Sequence, residues 1–420
     1  MLLKTTRVIM LFIMYVLFHL VYINLVSKHF GYEGFVKDGF EQTALYSHII
    51  IISILILLQL FMKNEFYNLI YNIFLIIIVF GQSVVSIYLG NNSLFLFVII
   101  PQFSLFLLDI LDKNNFKIKR RQIDVNNKYF NAISIIFAII ILIPFLKNIS
   151  SINLSNLLFN EIYDTRLKSN GNYGIILNYL YSSIARVVFP FLLIFFWVKK
   201  KYILSTIVLM FIVLLFLLNG AVKSILIGAL AAIAFYLFRY TIKNFMFIFM
   251  INIVFVFSLL ENIIYGSYKL TDYVRRIFYL PGYLFDVYYQ EFHNNFTYYG
   301  QTILGVLLGN KIDSNIASYI GEGVLGRKGM VANVGIFAEG YISLGIIGVF
   351  FATIALVILV FLLKSLDFSH HYFGLIFTYI YIINTSFLET LLITHGMLFL
   401  LIFGYFFIPK NNFKERCRFI

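Results

Sequence analysis

Residues 8–26, VIMLFIMYVLFHLVYINLV, decide what kind of protein this is. About 19 mostly apolar residues in one run match the length that an α-helix needs to cross a bilayer. Lys4 and Arg7 precede the run and no small-x-small cleavage pattern follows it. It also exceeds the hydrophobic core of a signal peptide, so it reads as a retained span. Similar runs recur along the whole chain. With 61% hydrophobic and 12% charged residues, against an apolar share of about 45–50% in soluble domains, the composition excludes a soluble globular protein. Backbone polar groups in lipid must be satisfied internally. The expectation is therefore an all-α polytopic membrane protein forming a single integral membrane domain, residues 1–420.

Apolar runs predict spans at 8–26, 45–62, 69–89, 93–111, 129–146, 175–198, 203–219, 225–238, 245–261, 334–363, 372–388 and 393–408, twelve transmembrane helices in all. The eighth is short enough to be re-entrant, and the tenth is long enough to require strong tilt. Alternating the loops puts nineteen Lys and Arg on one side and twelve on the other, half of the twelve in one long loop. The positive-inside rule then places both termini in the cytoplasm. Two large loops remain on the outer face, 147–174 and 262–333. The net charge of +13 favours membrane lipid and anionic substrates as partners and not nucleic acid; the basic run 112–128 reads as a cytoplasmic loop that sets topology. Cys417 is the single cysteine, which excludes an internal disulfide and a cysteine metal site. No His, Asp and Glu set has ligand spacing, so neither a metal nor a cofactor is expected.

Candidate chemistry concentrates in the long outer loop, in Tyr273–Asn295, YVRRIFYLPGYLFDVYYQEFHNN. A short helix is predicted here, with Thr271 as N-cap, Asp272 in its first turn and Pro281-Gly282 ending it. Arg275 and Arg276, with Tyr279 and Tyr288, set fixed positive charge among aromatic faces and hydroxyls, which suits a phosphate or sugar-phosphate. The same residues also fit an interfacial helix whose arginines touch lipid phosphate. Arg166, in Asp164-Thr165-Arg166, carries a second outer-loop cation. Arg186 falls in the middle of the sixth span, where a permanent cation must face the bundle interior and find a partner, Glu339 being one. Lys223 belongs to the Asn219–Ser224 turn, which lacks the strand of a P-loop but offers amides and a cation to an anion. Glu339 is a buried carboxylate near the start of the tenth span, either a general base or a neutralising partner. Residues 321–326 match G-x-G-x-x-G without a βαβ unit and read as a flexible glycine loop. His293, alone in its loop, reads as incidental.

Taken together, NGAVKSILIGAL (219–230), RRIFYLPGYLFDVYYQEF (275–292), ANVGIFAEGYISLGIIG (332–348) and Asp164-Thr165-Arg166 resemble the corresponding stretches of the Wzy family, the O-antigen and capsule repeat-unit polymerases. The resemblance implies a GT-C-like, metal-independent glycosyltransferase in the bacterial plasma (inner) membrane. Its partner would be an undecaprenyl-diphosphate-linked oligosaccharide, the growing glycan passing from its lipid diphosphate to the terminal sugar of a new repeat unit at the outer face. A chain-length regulator is a further partner implied by the family alone. On this resemblance Arg275, Arg276 and Arg186 hold the diphosphate, while Arg166 and Lys223 steer the acceptor or share that charge. Tyr279 and Tyr288 line the substrate site, and Glu339 is the base, with Asp272 or Glu291 as substitutes. The related O-antigen ligases carry a His-Asn pair where this chain reads Ala332-Asn333-Val334, and His293-Asn294 lies about forty residues earlier. A flippase, the alternative from another class, commonly shows paired repeats, whereas one outer loop dominates here.

Overall fold

The computed structural model describes residues 2–121, 182–218 and 223–410, apart from 308 and 313, with single positions at 136, 139, 152, 154 and 156. Those single positions aside, the predicted span 129–146 and the loop 147–174, with Arg166, lie outside the described residues, as do 219–222 of the turn before Lys223. Among those described, regular structure is helical, and extended pairing is confined to a single bridge between Phe368 and Lys410. Five helices are long and apolar enough to cross a membrane: Leu3–His29, Glu65–Leu89, Ser93–Leu111, Tyr240–Tyr265 and Ile346–Ser365. Shorter apolar helices occupy Gln42–Leu58, Ile184–Val198, Tyr202–Leu218, Ile225–Ala234 and Met397–Phe406. The architecture is that of an all-helical polytopic membrane protein.

The elements used below are α1 (Leu2–Val21), α2 (Gln42–Leu58), α3 (Glu65–Phe74), α4 (Gly81–Leu89), α5 (Ser93–Leu111), α6 (Phe189–Val198), α7 (Tyr202–Leu218), α8 (Lys223–Ala234), α9 (Tyr240–Tyr265), α10 (Lys269–Val274) and α11 (Leu280–Phe292). After them come α12 (Ile336–Leu344), α13 (Ile346–Ser365), α14 (Phe373–Ile383) and α15 (Met397–Phe406). Contacts divide the chain into two compact units, residues 1–116, 239–361 and 380–389 in the first, and 117–238, 362–379 and 390–420 in the second.

In the first unit α1 packs along α9. Phe18 stacks on Phe255 with ring centroids 4.4 Å apart, and the Asn252 amide donates to the Met10 carbonyl at 3.2 Å. Polar side chains buried between helices need partners, and here they find one another. Asn72 Nδ2 lies 3.0 Å from Gln59 Oε1, Asn68 Oδ1 and Asn244 Oδ1, joining α3 to α9. Next to them the fully buried Arg7 donates to Glu65 at 3.2 Å. At the other end α4 packs on α11 and on the turn before it. Gly81 permits this: a Cβ there would overlap the Phe278 carbonyl, so the two backbones touch directly.

The second unit is built on α6, α7 and α8, each packed on the other two. Phe191 and Phe195 stack along α6 at 5.6 Å, and the Ser205 hydroxyl donates to the Leu193 carbonyl at 2.9 Å. Gly374, at the start of α14, lies against the Ala231 carbonyl of α8, where a Cβ would not fit.

Two sequence expectations change. The tenth predicted span, 334–363, is two helices and not one tilted helix. Gly345, with φ +61°, ends α12, and α13 begins at the next residue. Gly340 and Gly348 then meet backbone to backbone across the break. The helix expected from Thr271 to Leu280 begins instead at Lys269 and does not end at Pro281-Gly282. A widened π-helical turn, Arg275–Tyr279, carries it into α11. Pro281 falls in the first turn of that helix, where its missing N–H costs no internal hydrogen bond. Thr271 is buried, its hydroxyl 2.8 Å from that of Ser258. Glu261 caps the helix in its place, accepting from the amides of Lys269 at 3.1 Å and Leu270 at 2.9 Å.

The Gly81 contact yields a stability test. Gly81→Ala should destabilise the purified protein by about 1–3 kcal/mol through overpacking, read as a lowered unfolding midpoint by tryptophan and tyrosine fluorescence in detergent. Gly309→Ala, where a Cβ meets open space but φ is +80°, should cost less, about 1 kcal/mol of left-handed backbone strain.

Candidate functional site

The chain turns sharply out of α9 at Gly266, φ +62°, and enters α10 under the Glu261 cap. Asp272 lies in the first turn of α10, and the spacing places Arg275 and Arg276 three and four residues on, over the same face. Asp272 accepts from both: Arg275 Nη2 at 2.6 Å and Arg276 Nε at 3.2 Å. The π-helical turn inserts one extra residue per turn, a distortion that recurs at functional sites.

Arg275 is buried, its side chain 4% exposed. Besides Asp272 it pairs with Glu33, which belongs to a one-turn 3-10 helix, Gly31–Glu33, in the loop between α1 and α2. Its guanidinium lies over the Phe30 ring at 4.2 Å and near Phe35 at 5.8 Å. The Arg275 Nε is buried with no hydrogen-bond partner. Burial, followed by the positive charge of Arg276, pulls this guanidinium down to about 10. Arg327 joins from the loop before α12: its Nη1 lies 3.7 Å from Glu33 Oε2, and its Nη2 donates to the Glu33 carbonyl at 3.3 Å. Gly326 at φ +65° and Gly329 at φ +75° shape the turn that presents it. Three guanidinium groups therefore face two carboxylates, leaving net positive charge. Arg276 and Arg327 are the accessible members, with side chains 45% and 33% exposed.

The other predicted site residues take different places. Tyr279 and Tyr288 are fully buried, their hydroxyls donating to the carbonyls of Phe18 and Ala332, each at 2.8 Å. Both serve the core of the first unit, since a buried phenol needs an acceptor and each takes a backbone carbonyl. They do not present hydroxyls to a ligand. Glu339 is buried in the first turn of α12 and accepts from the Leu388 amide at 2.6 Å. Glu389, next to Leu388 in sequence, accepts from the Ile303 amide at 2.7 Å. Glu291 is exposed at the end of α11, where the Tyr319 hydroxyl donates to it.

Arg186 lies in the second unit, in another π-helical turn, Ile184–Val188, just before α6. Its Nη1 donates to the Ser182 hydroxyl and to Nδ1 of His395, the latter at 2.7 Å. A guanidinium has only donors, so His395 Nδ1 accepts, and the imidazole is neutral with its proton on Nε2. The Tyr379 hydroxyl donates to the His395 carbonyl at 2.9 Å and fixes that residue. Glu339, expected as a partner of Arg186, belongs to the first unit, where one of its carboxylate oxygens accepts from the Leu388 amide. Lys223 is the first residue of α8.

The structure thus brings Arg275 and Arg276 together and adds Glu33 and Arg327, which sequence reasoning did not single out. Gly31-Tyr32-Glu33-Gly34 matches no motif, and Arg327 enters only the count of twelve Lys and Arg on the outer side. The usable signal was a carboxylate between two glycines in a chain with only 19 Asp and Glu. His395 carried no signal at all.

Burial separates the two neighbouring arginines experimentally. Arg275→Ala leaves Glu33 and Asp272 under-compensated and should cost about 3 kcal/mol, the low end for a broken buried ion pair. Arg276→Ala should cost less than about 1 kcal/mol, as an exposed pair does. Chemical denaturation of both variants, followed by fluorescence, measures the difference. No family model matches this chain, and neither a curated protein nor a solved structure matches it.

Proposed function

We propose that this protein polymerises a surface polysaccharide, transferring the growing glycan from undecaprenyl diphosphate to the terminal sugar of a lipid-linked repeat unit. The reading places it in the bacterial plasma membrane with both termini cytoplasmic and residues 262–333 on the outer face. One observation carries it: Arg275, Arg276 and Arg327, from two separate stretches of that loop, gather at one place with charge left over. Similarity of residues 219–230, 275–292 and 332–348 to the Wzy polymerases supports the same chemistry.

The reaction breaks the bond between the sugar's anomeric carbon and the phosphate oxygen, and forms a bond from that carbon to an acceptor hydroxyl oxygen. Negative charge grows on the departing diphosphate, and donors already in place stabilise it without reorganisation. Guanidinium forks match phosphate oxygens two at a time. Arg276 and Arg327, being accessible, meet the diphosphate first. The acceptor proton goes to a carboxylate. Glu339 holds that role in this reading, oriented by the Leu388 amide, with the exposed Glu291 as the alternative.

The test uses a strain lacking the gene, complemented with wild type, Arg276→Ala or Arg327→Ala. Surface polysaccharide is followed by electrophoresis and lipid-linked intermediates by mass spectrometry. Loss of the gene should leave single repeat units and no ladder, and each arginine variant should reduce polymer at least tenfold while remaining in the membrane at wild-type abundance. Full-length polymer accumulating on undecaprenyl diphosphate would instead mark a ligase, and single units retained on the cytoplasmic face would mark a flippase.

A further inference from the structure

We infer that the Glu33 carboxylate occupies a phosphate seat formed by Arg275 and Arg327, and that a diphosphate ligand enters by displacing it. The inference rests on the reading above, in which these arginines take a lipid diphosphate. Glu33 comes from a different loop, between α1 and α2, yet it reaches both guanidinium groups. A carboxylate offers an arginine fork two oxygens and one negative charge, the same face that phosphate offers with more of each. Glu33 is thus a built-in competitor for its own site.

Three details support displacement over a permanent clasp. Arg275 Nε–H is buried without an acceptor while the Glu33 carboxylate is in place, and a phosphate, with more acceptor oxygens, has one to give it. Positive charge remains in excess at three guanidinium groups to two carboxylates, so a second negative charge is favoured there. The turn that carries Glu33 is bounded by Gly31 and by Gly34, the latter at φ +101°. Beyond it the loop is pinned, Tyr22 donating to the Val36 carbonyl at 3.0 Å and the Gly39 amide to the Tyr88 carbonyl at 3.1 Å. Movement can be confined to the Glu33 side chain and its glycine-flanked turn, leaving the helices fixed.

A resident carboxylate raises the apparent dissociation constant to the intrinsic value divided by the fraction of time the seat is empty. Removing the charge should therefore tighten binding. The experiment uses the full chain in detergent, with inorganic pyrophosphate, farnesyl diphosphate and phosphatidylglycerol micelles as probes in calorimetric titrations. Glu33→Gln is expected to bind pyrophosphate and farnesyl diphosphate at least tenfold tighter than wild type, and Glu33→Gln combined with Arg327→Gln should lose the gain. If Glu33→Gln fails to fold, Glu33→Asp, which withdraws the carboxylate by one methylene, should show a smaller tightening of the same sign. Equal or weaker diphosphate binding by the Glu33 variants, with wild type still binding, overturns the displacement and leaves the proposed function standing. Tightening for phosphatidylglycerol alone makes the seat a headgroup site and overturns the diphosphate assignment. No binding of any probe by any variant overturns the anion-site reading itself.

Discussion

A guanidinium cannot give up its charge at any pH a cell reaches, so a chain this apolar must find each buried arginine a partner for that charge. Arg275 is where that constraint shapes the first unit. Its demands draw Glu33 from the loop after α1 and Asp272 from α10, and lay the Phe30 ring against its face. Arg327 follows because Glu33 can serve two cations. Three distant parts of the sequence are thereby held together by one group of charges. In the second unit Arg186 donates to a hydroxyl and an imidazole.

Both arginine positions fall in widened helical turns, Arg275–Tyr279 and Ile184–Val188, and His395 directly follows a third, Thr390–Thr394. Such a turn shifts the helical phase by one residue and re-aims the side chains after it. In the first unit ordinary helical spacing lets Asp272 serve both Arg275 and Arg276 at the start of the turn, and Tyr279 at its end is buried in the core. The widened turn also removes the expected break at Pro281, since the proline meets a place where no N–H is required. The distortion, the charge partners and the continuity of α10 into α11 are thus one solution.

Much of the architecture was legible from hydrophobic run length, because lipid leaves a chain few ways to satisfy its backbone. Among the described residues the predicted apolar runs correspond to helices, with ends displaced by a few residues. The long run 334–363 misled because Gly345 is apolar by composition, yet its positive φ breaks the helix. Arg275 and Arg276 stood out because permanent charge is rare here. Their difference did not, since burial depends on Glu33, more than two hundred residues away in sequence. Tyr279 and Tyr288 show the same limit: an aromatic hydroxyl beside arginines reads as a ligand group, and only packing reveals that backbone carbonyls take it. Glu261 as a helix cap was hidden at the end of an apolar run, where a carboxylate has no distinctive spacing.

The contact between Gly81 and the Phe278 carbonyl has a mechanical meaning. It joins two main chains without a side chain between them, so it contains no rotamer that can absorb a displacement. Helix α4 belongs to the span Glu65–Leu89, whose apolar window is buried throughout by the protein itself. Any rise or fall of that helix is passed rigidly to the turn bearing Arg275 and Arg276. The place of these charges is therefore set by a helix of the protein core and not by the loop alone, so a substitution far from any arginine can move all of them together.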